Sequence, residues 1–349
     1  MSDVIILAAS LSYRLSSMEL ALVIVERYPQ LSETYIAAEV AALDRAGVLG
    51  GVFALKEPDC PLVDHVPFEM VEGARDVVKA CGEIQPTVLH THYLHMAPIA
   101  VEVSNATGLP FTLRTHSYDV IKRPKERVKT LCAMLNASNC AAVLGFPFIL
   151  DILRDHGLRE DLITPSFPVI DSERFLDRSP NGEGILNLGA AIVKKDMKGY
   201  VKFASKHRRL RFSLYPIGDR TQELLDYNTK LGSPVDIHES VQPPEMPAVY
   251  KANNWLVYTA SLRINMVGWP MAVAEAQASG LGVCLQTNRP DAAEYLGGAG
   301  VAFRRCREIA DLVSGPVPEE MRERGFEVAA RSDVKRHIQT LEEIWSSAS

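Results

Sequence analysis

Glu275 is a carboxylate in an apolar setting. Residues 270–279 read Pro-Met-Ala-Val-Ala-Glu-Ala-Gln-Ala-Ser and are closed by Gly280, with small or apolar side chains round almost the whole circumference. A helix of that kind is buried, so Glu275 must be paired, hydrogen-bonded or turned toward a polar ligand. An ionised carboxylate in such a place is a strong two-point acceptor for a vicinal diol; the alternative is one satisfied by backbone N–H groups. Pro270 suits the first helical position and Gly280 the left-handed residue past the end. Ahead of the helix, the apolar run 255–260 feeds a loop containing Gly268. A strand that passes through such a loop into a helix start brings backbone N–H groups together on an anion.

A second group of reactive side chains lies at the end of the strand-like stretch 87–91, as His90-Thr-His92-Tyr-Leu-His95. His90 and His92 share one strand face and could take a metal. No HExxH and no further His/Asp cluster of ligand spacing accompanies them, and no Asp-x-Asp pair is present to hold a divalent ion on a diphosphate. The expectation is therefore no metal and no cofactor. A G-x-G-x-x-G or Walker loop, which a dehydrogenase or nucleotidase would need, is also missing.

The elements that must position these residues are legible from periodicity. A continuous apolar run of strand length falls at 20–25, and further strand-like stretches fall at 51–55, 87–91, 111–115 and 141–144, and again at 185–188, 212–217, 235–237, 255–260, 282–285 and 301–303. Helical patterns lie between them, for example 32–46, where Ser32 caps and Gly47 stops the helix. Runs without polar alternation suit parallel strands covered on both faces, and their alternation with helices predicts doubly wound sheets. The pattern changes around 168–184, where the polar, turn-rich stretch 177–184 reads as a linker. This predicts an N-terminal Rossmann-like domain over 1–176, a second over 177–318, and a helical segment 319–349 that packs back toward the first. Ligands would lie in the cleft where the strand ends face each other.

Composition narrows the function. A net charge of -6 over 349 residues excludes a dedicated nucleic-acid binder. Basic runs at 122–129 and 206–211 read as solvated faces, or as contacts with an anionic substrate or membrane surface. Six cysteines without a CxxC pair suit a reducing compartment. Residues 4–11 make a poor signal peptide, the natural start could be Met18, and nothing is long enough to span a bilayer, so the expected location is cytoplasmic, with peripheral inner-membrane contact allowed.

Several motifs in order resemble the family 4 glycosyltransferases of the GT-B fold, in their bacterial exopolysaccharide-type members, from about residue 18 to 345. Residues 267–276, Val-Gly-Trp-Pro-Met-Ala-Val-Ala-Glu-Ala, are similar to the family's E-G-F-G-x-x-x-x-E-A, with the first Glu replaced by Val267. Residues 163–171 and Phe175 resemble its interdomain I-P-N-G-V-D…F, and residues 27–36 its P-x-x-S-E-T-F-I opening. Thr115-His116-Ser-Tyr-Asp119 resembles H-G-x-D, and residues 189–199 stand for G-R-L…K-G, with Ala190 in place of the Arg.

The resemblance implies a retaining transfer from a nucleoside-diphosphate sugar, UDP before GDP, to a polysaccharide, a lipid-linked glycan or a small molecule. It implies that Glu275 holds the ribose hydroxyls, while Val267, Gly268, Trp269, Pro270 and Met271 face the donor. Gly189, Lys195 and Lys198 would serve the diphosphate, with Lys198 the first choice because Gly199 follows it. Val241 and Pro243 would lie against the base. His116, with Asp119 nearby, would contact the sugar near the transfer point. Glu33, Thr34, His92 and Tyr93 would line the acceptor side. Val267 and Ala190 point to an unusual donor such as a deoxy sugar, to substitution by Asn265 and Arg263, or to lost catalysis. A non-catalytic scaffold and a GT-B-like sugar-nucleotide epimerase are therefore rival readings.

Overall fold

The computed structural model describes residues 19–218, 220–264 and 268–348, so Val267, Asn265 and Met18 lie outside the described residues. Seven strands form the first sheet: β1 Ala21–Arg27, β2 Leu49–Lys56, β3 Glu69–Met70, β4 Val88–His92, β5 Phe111–Arg114, β6 Cys140–Gly145 and β7 Ile163–Pro165. Six form the second: β8 Gly184–Ala190, β9 Phe212–Ile217, β10 Asp236–Ile237, β11 Asn253–Tyr258, β12 Gly282–Gln286 and β13 Val301–Phe303.

The strand orders are β3-β2-β1-β4-β5-β6-β7 and β10-β9-β8-β11-β12-β13. Every pairing within both sheets is parallel. The strands are apolar on both faces because helices cover both; β1 buries all of residues 21–25. In each sheet the order reverses once, between β1 and β4 and between β8 and β11, and ligands of such sheets bind beyond the strand ends at that reversal. The loops after those four strands carry most of the residues of interest.

Two short edge strands, β3 and β7, escape an apolar-run reading because they hold only 2 and 3 residues. The stretch 168–184 contains a four-residue helix, Ser172–Phe175. The C-terminal segment is two helices, Glu319–Ala329 and Val334–Ala348, separated at Asp333. The second lies on the first sheet's side: Val334, Ile338, Leu341 and Trp345 join the cluster of Ile36, Val40 and Leu43. The helix Met271–Ala278 begins one residue later than its sequence suggests, with Pro270 extended at φ -74° and ψ 131° as its cap. Gly280 is left-handed, at φ +77°.

Candidate active site in the interdomain cleft

The strand ends of the two sheets face one another across a cleft of about 980 Å³, the size of a small-molecule site. On the second sheet's side, β8 ends in Gly189 at φ +112°, a conformation open to glycine and strained for any L side chain. A Cβ there would overlap Lys195 Nζ, which fills the notch. Lys195 lies 5.4 Å from the centre of the Tyr258 ring at the end of β11. The loop that carries it is tied to the loop after β11 twice: Thr259 Oγ1 donates to Lys195 O at 2.9 Å, and Ser261 N to Lys194 O at 2.8 Å. Burial brings both lysines down to about 8, against the pull of Glu275 on Lys195.

Glu275 is half-buried and lines the cleft. Its hydrogen bond is to a side chain, not to its own main chain: the Tyr250 hydroxyl donates to Oε2 at 2.6 Å. Burial raises its carboxyl above the ordinary value, against Tyr250, Arg174 and Lys195. Gly268, Trp269, Pro270, Met271, Gly189, Val241 and Pro243 line the same cleft. Gly268 lies so close to Ser117 of the first domain that a Cβ would overlap Ser117 Oγ. Trp269 serves packing more than contact with a ligand. Its ring stacks 4.9 Å from Tyr295 and 5.3 Å from Phe167, it is 5% exposed, and Nε1 donates to Asp291 Oδ2 at 2.7 Å.

Facing these, His116 follows β5 and lines the cleft with Tyr35, Tyr93, Glu33 and Thr34. Tyr93 is held at φ +72°; its hydroxyl donates to Glu33 Oε1 at 2.6 Å and makes a second, short bond with the Tyr35 hydroxyl. Burial raises the Glu33 carboxyl, against the Tyr93 bond. Thr34 Oγ1 reaches across to Met271 Sδ at 3.9 Å.

Three assignments made from sequence are corrected by these positions. Lys198 is exposed, does not line the cleft, and pairs with Glu223 at 3.2 Å. The helix Met197–Ala204 buries Met197, Tyr200, Val201 and Ala204, and that 3.6-residue face turns position 198 outward. Asp119 is 1% exposed and not in the cleft wall: its oxygens accept from His116 N at 2.8 Å and Leu94 N at 2.6 Å, tying the loops after β4 and β5 together. Burial, opposed by those N–H groups, pushes its carboxyl up to about 7. His92 is fully buried behind His116 rather than on the acceptor side.

Sequence reasoning missed Glu39 and His337, which meet under this wall with Nε2 of His337 2.6 Å from Oε2 of Glu39. A signal existed. Glu39 stands among the buried Ile36, Val40 and Leu43, and His337 among Val334, Ile338 and Leu341, so each places a polar group on a core face. Tyr250 carried no comparable signal.

No protein-family model and no curated protein matches the sequence. Solved structures do match. HepE from Anabaena in complex with UDP-glucose superimposes with a TM-score of 0.75 at 14% identity, over 94% of this chain and 100% of that one. This chain has the GT-B fold. Sucrose-phosphate synthase from Thermosynechococcus elongatus gives 0.73 at 15% identity, over 95% and 100% of the two chains. A glycosyltransferase from Rickettsia africae gives 0.67 at 13%, over 94% and 99%. Among the described residues, no helix is long and apolar enough to cross a membrane.

Proposed function

We propose that the chain is a glycosyltransferase that moves a sugar from a nucleoside-diphosphate donor to a hydroxyl acceptor, a polysaccharide, lipid-linked glycan or small molecule. The observation that carries this reading is the meeting of Lys195 and Glu275 in one cleft wall opposite His116. The solved GT-B structure with UDP-glucose favours UDP over GDP as the nucleotide. Glu275 Oε1 has no hydrogen bond among the described residues, which leaves it for a ribose diol. Val241 and Pro243 would flank the base.

Cleavage of the anomeric bond develops positive charge on the sugar and negative charge on the leaving diphosphate. Lys195, Lys194 and the N–H groups of residues 271 and 272, which open the helix and have no intrahelical acceptor, would stabilise that leaving charge. Lys195 thus takes the role that the resemblance implied first for Lys198. The reaction is read as retaining, with transfer on one face and the leaving phosphate taking the acceptor proton, so no divalent ion and no general-base side chain are required. Closing the two domains over the donor would exclude water and limit hydrolysis. The six free cysteines fit a cytoplasmic setting, and the basic helix Lys125–Asn136 is the surface for any peripheral membrane contact.

Calorimetric titration with UDP, GDP and ADP, followed by diphosphate release from a panel of sugar nucleotides, tests the proposal. Binding of UDP that Glu275→Ala abolishes, with donor-dependent release of UDP, is the expected result. Intact donors throughout the panel would leave a non-catalytic scaffold as the better reading.

A further inference from the structure

His116 is backed by a line of buried polar groups that a packed core does not need. His116 Nε2 stands 3.1 Å from His92 Nδ1, and His92 Nε2 stands 3.0 Å from Glu39 Oε1. The two imidazole planes are 15° apart and the ring centres 5.4 Å, so the rings meet edge to edge. Glu39 and His92 have no exposed surface, and His116 has 9%. The Tyr35 and Tyr93 rings hold His116 from the cleft side, at 4.5 and 4.8 Å.

We propose that Glu39 and His92 are positioning residues: they lock His116 in the tautomer protonated at Nε2, so that Nδ1 is kept as an acceptor for a substrate hydroxyl in the cleft. This rests on the proposed transfer between hydroxyl-bearing substrates, and it adds the direction in which His116 works. The chain of donors fixes the direction. Burial works against the charged form of Glu39, yet the electrostatic pull of His92, His90 and His337, with the hydrogen bond from His337, outweighs it and holds the carboxyl well below its ordinary value. Facing a carboxylate, His92 Nε2 carries the proton, and burial keeps that ring neutral despite the pull of Glu39. His92 Nδ1 is then a bare lone pair, so His116 Nε2 must donate to it. Burial, with Arg114 and His92 beside it, holds His116 neutral as well. Its Nδ1 makes no bond among the described residues and belongs to a ring that lines the cleft.

The rest of the cluster fits the same assignment. Arg114 NH1 donates to Glu39 Oε2 at 3.0 Å, and His337 Nε2 to the same oxygen at 2.6 Å. The 3.2 Å approach of Arg114 NH1 to His337 Nε2 is then a contact between two donors, not a hydrogen bond. His90 Nε2 stands 2.8 Å from Oε1 but out of line for a hydrogen bond. Glu39, His90 and His92 also bring ligand atoms within 4.8 Å of one another, close enough for a metal ion. A dication there would lie beside a guanidinium that already shares the carboxylate, which weighs against it. It would also reverse the line: His92 bound through Nε2 would carry its proton on Nδ1, donate to His116 Nε2, and leave His116 Nδ1 protonated.

The test is a two-bond proton–nitrogen spectrum of the full chain with imidazole-labelled histidine at neutral pH, assigned with His116→Gln and His92→Leu. The expected result is a neutral His116 protonated at Nε2, changing to a mixture of tautomers in His92→Leu. A His116 protonated at Nδ1, the metal-bound outcome included, or at both nitrogens overturns the relay. With the donor found by the panel, His92→Leu should lose at least about tenfold in kcat, the value of one hydrogen bond made in the transition state, with UDP affinity unchanged. His92→Asn, whose Oδ1 falls where Nδ1 stood, should regain part of that loss; no rescue counts against the relay. The spectrum needs no turnover. If the tautomer is as expected and no donor reacts, the transferase reading fails while the relay stands.

Discussion

The hydroxyl of Tyr250 and the carboxylate of Glu275 meet at 2.6 Å, although they come from two helices, one before and one after β11 in the chain. Tyr250 has no exposed surface, so the bond fixes one carboxylate oxygen and leaves the other to the cleft. Glu275→Gln keeps the shape and removes the charge. It is expected to weaken UDP binding by about 1.5–3 kcal/mol, the value of hydrogen bonds to a charged group. Tyr250→Phe frees the carboxylate to swing and should cost less, about 1 kcal/mol. Titration calorimetry reads both; an unchanged Kd in Glu275→Gln removes the ribose assignment.

Lys195 and Lys194 titrate near working pH, because burial brings both to about 8. Below that value each is charged and available to a diphosphate. As pH rises through about 8 the charge is lost, so UDP affinity should be level in mildly acid buffer and fall above pH 8. The slope should approach tenfold per unit for each lysine that loses its proton. Lys195→Arg cannot deprotonate in this range and should remove one lysine's share of the fall. Stability carries the opposite sign. The unfolded chain keeps these protons to about 10.5, so between about 8 and 10.5 it binds more of them, and folding strengthens as pH rises. A Kd that ignores pH from 7 to 9 in the unmodified chain contradicts the lysine assignment.

The doubly wound sheets were readable because strands such as β1 and β12 are built on short apolar runs that alternate with helical patterns. β3 and β7 were not, since 2 or 3 residues carry no periodicity. Glu275 could be singled out because its neighbours are apolar on every side. Lys198 was misplaced for a physical reason: the order of lysines before Gly199 says nothing about which one a helix turns outward. The core positions Met197, Tyr200 and Val201 hold that information. The pairing of Glu39 with His337, 298 positions apart in the chain, was beyond local pattern altogether.

Gly189 should tolerate no side chain. At φ +112° an alanine is strained, and its Cβ would displace Lys195 Nζ. Strain of this kind costs about 1–3 kcal/mol, and here the same substitution should also weaken UDP binding by moving the cation. Combining Gly189→Ala with Lys195→Ala separates the two effects. Because the residues touch, the double variant should lose less affinity than the sum of the single losses. Additive losses in calorimetry would show that the notch and the lysine act independently.

Trp345 anchors the last helix to the first sheet. It has no exposed surface, and its Nε1 donates to Thr112 Oγ1 at 3.0 Å. Thr112 in turn stands 2.7 Å from His90 Nδ1. Since the hydroxyl accepts from the indole, its own proton is free to go to His90 Nδ1. Trp345→Ala removes a large core side chain and should cost about 3–5 kcal/mol, while Trp345→Phe keeps most of the volume and should cost about 1 kcal/mol for the bond to Thr112. Urea unfolding followed by circular dichroism measures both. The order Trp345→Ala, Trp345→Phe, unmodified chain is expected in the midpoints. Equal midpoints for the alanine variant and the unmodified chain would mean that the final helix is not part of the first domain's cooperative core.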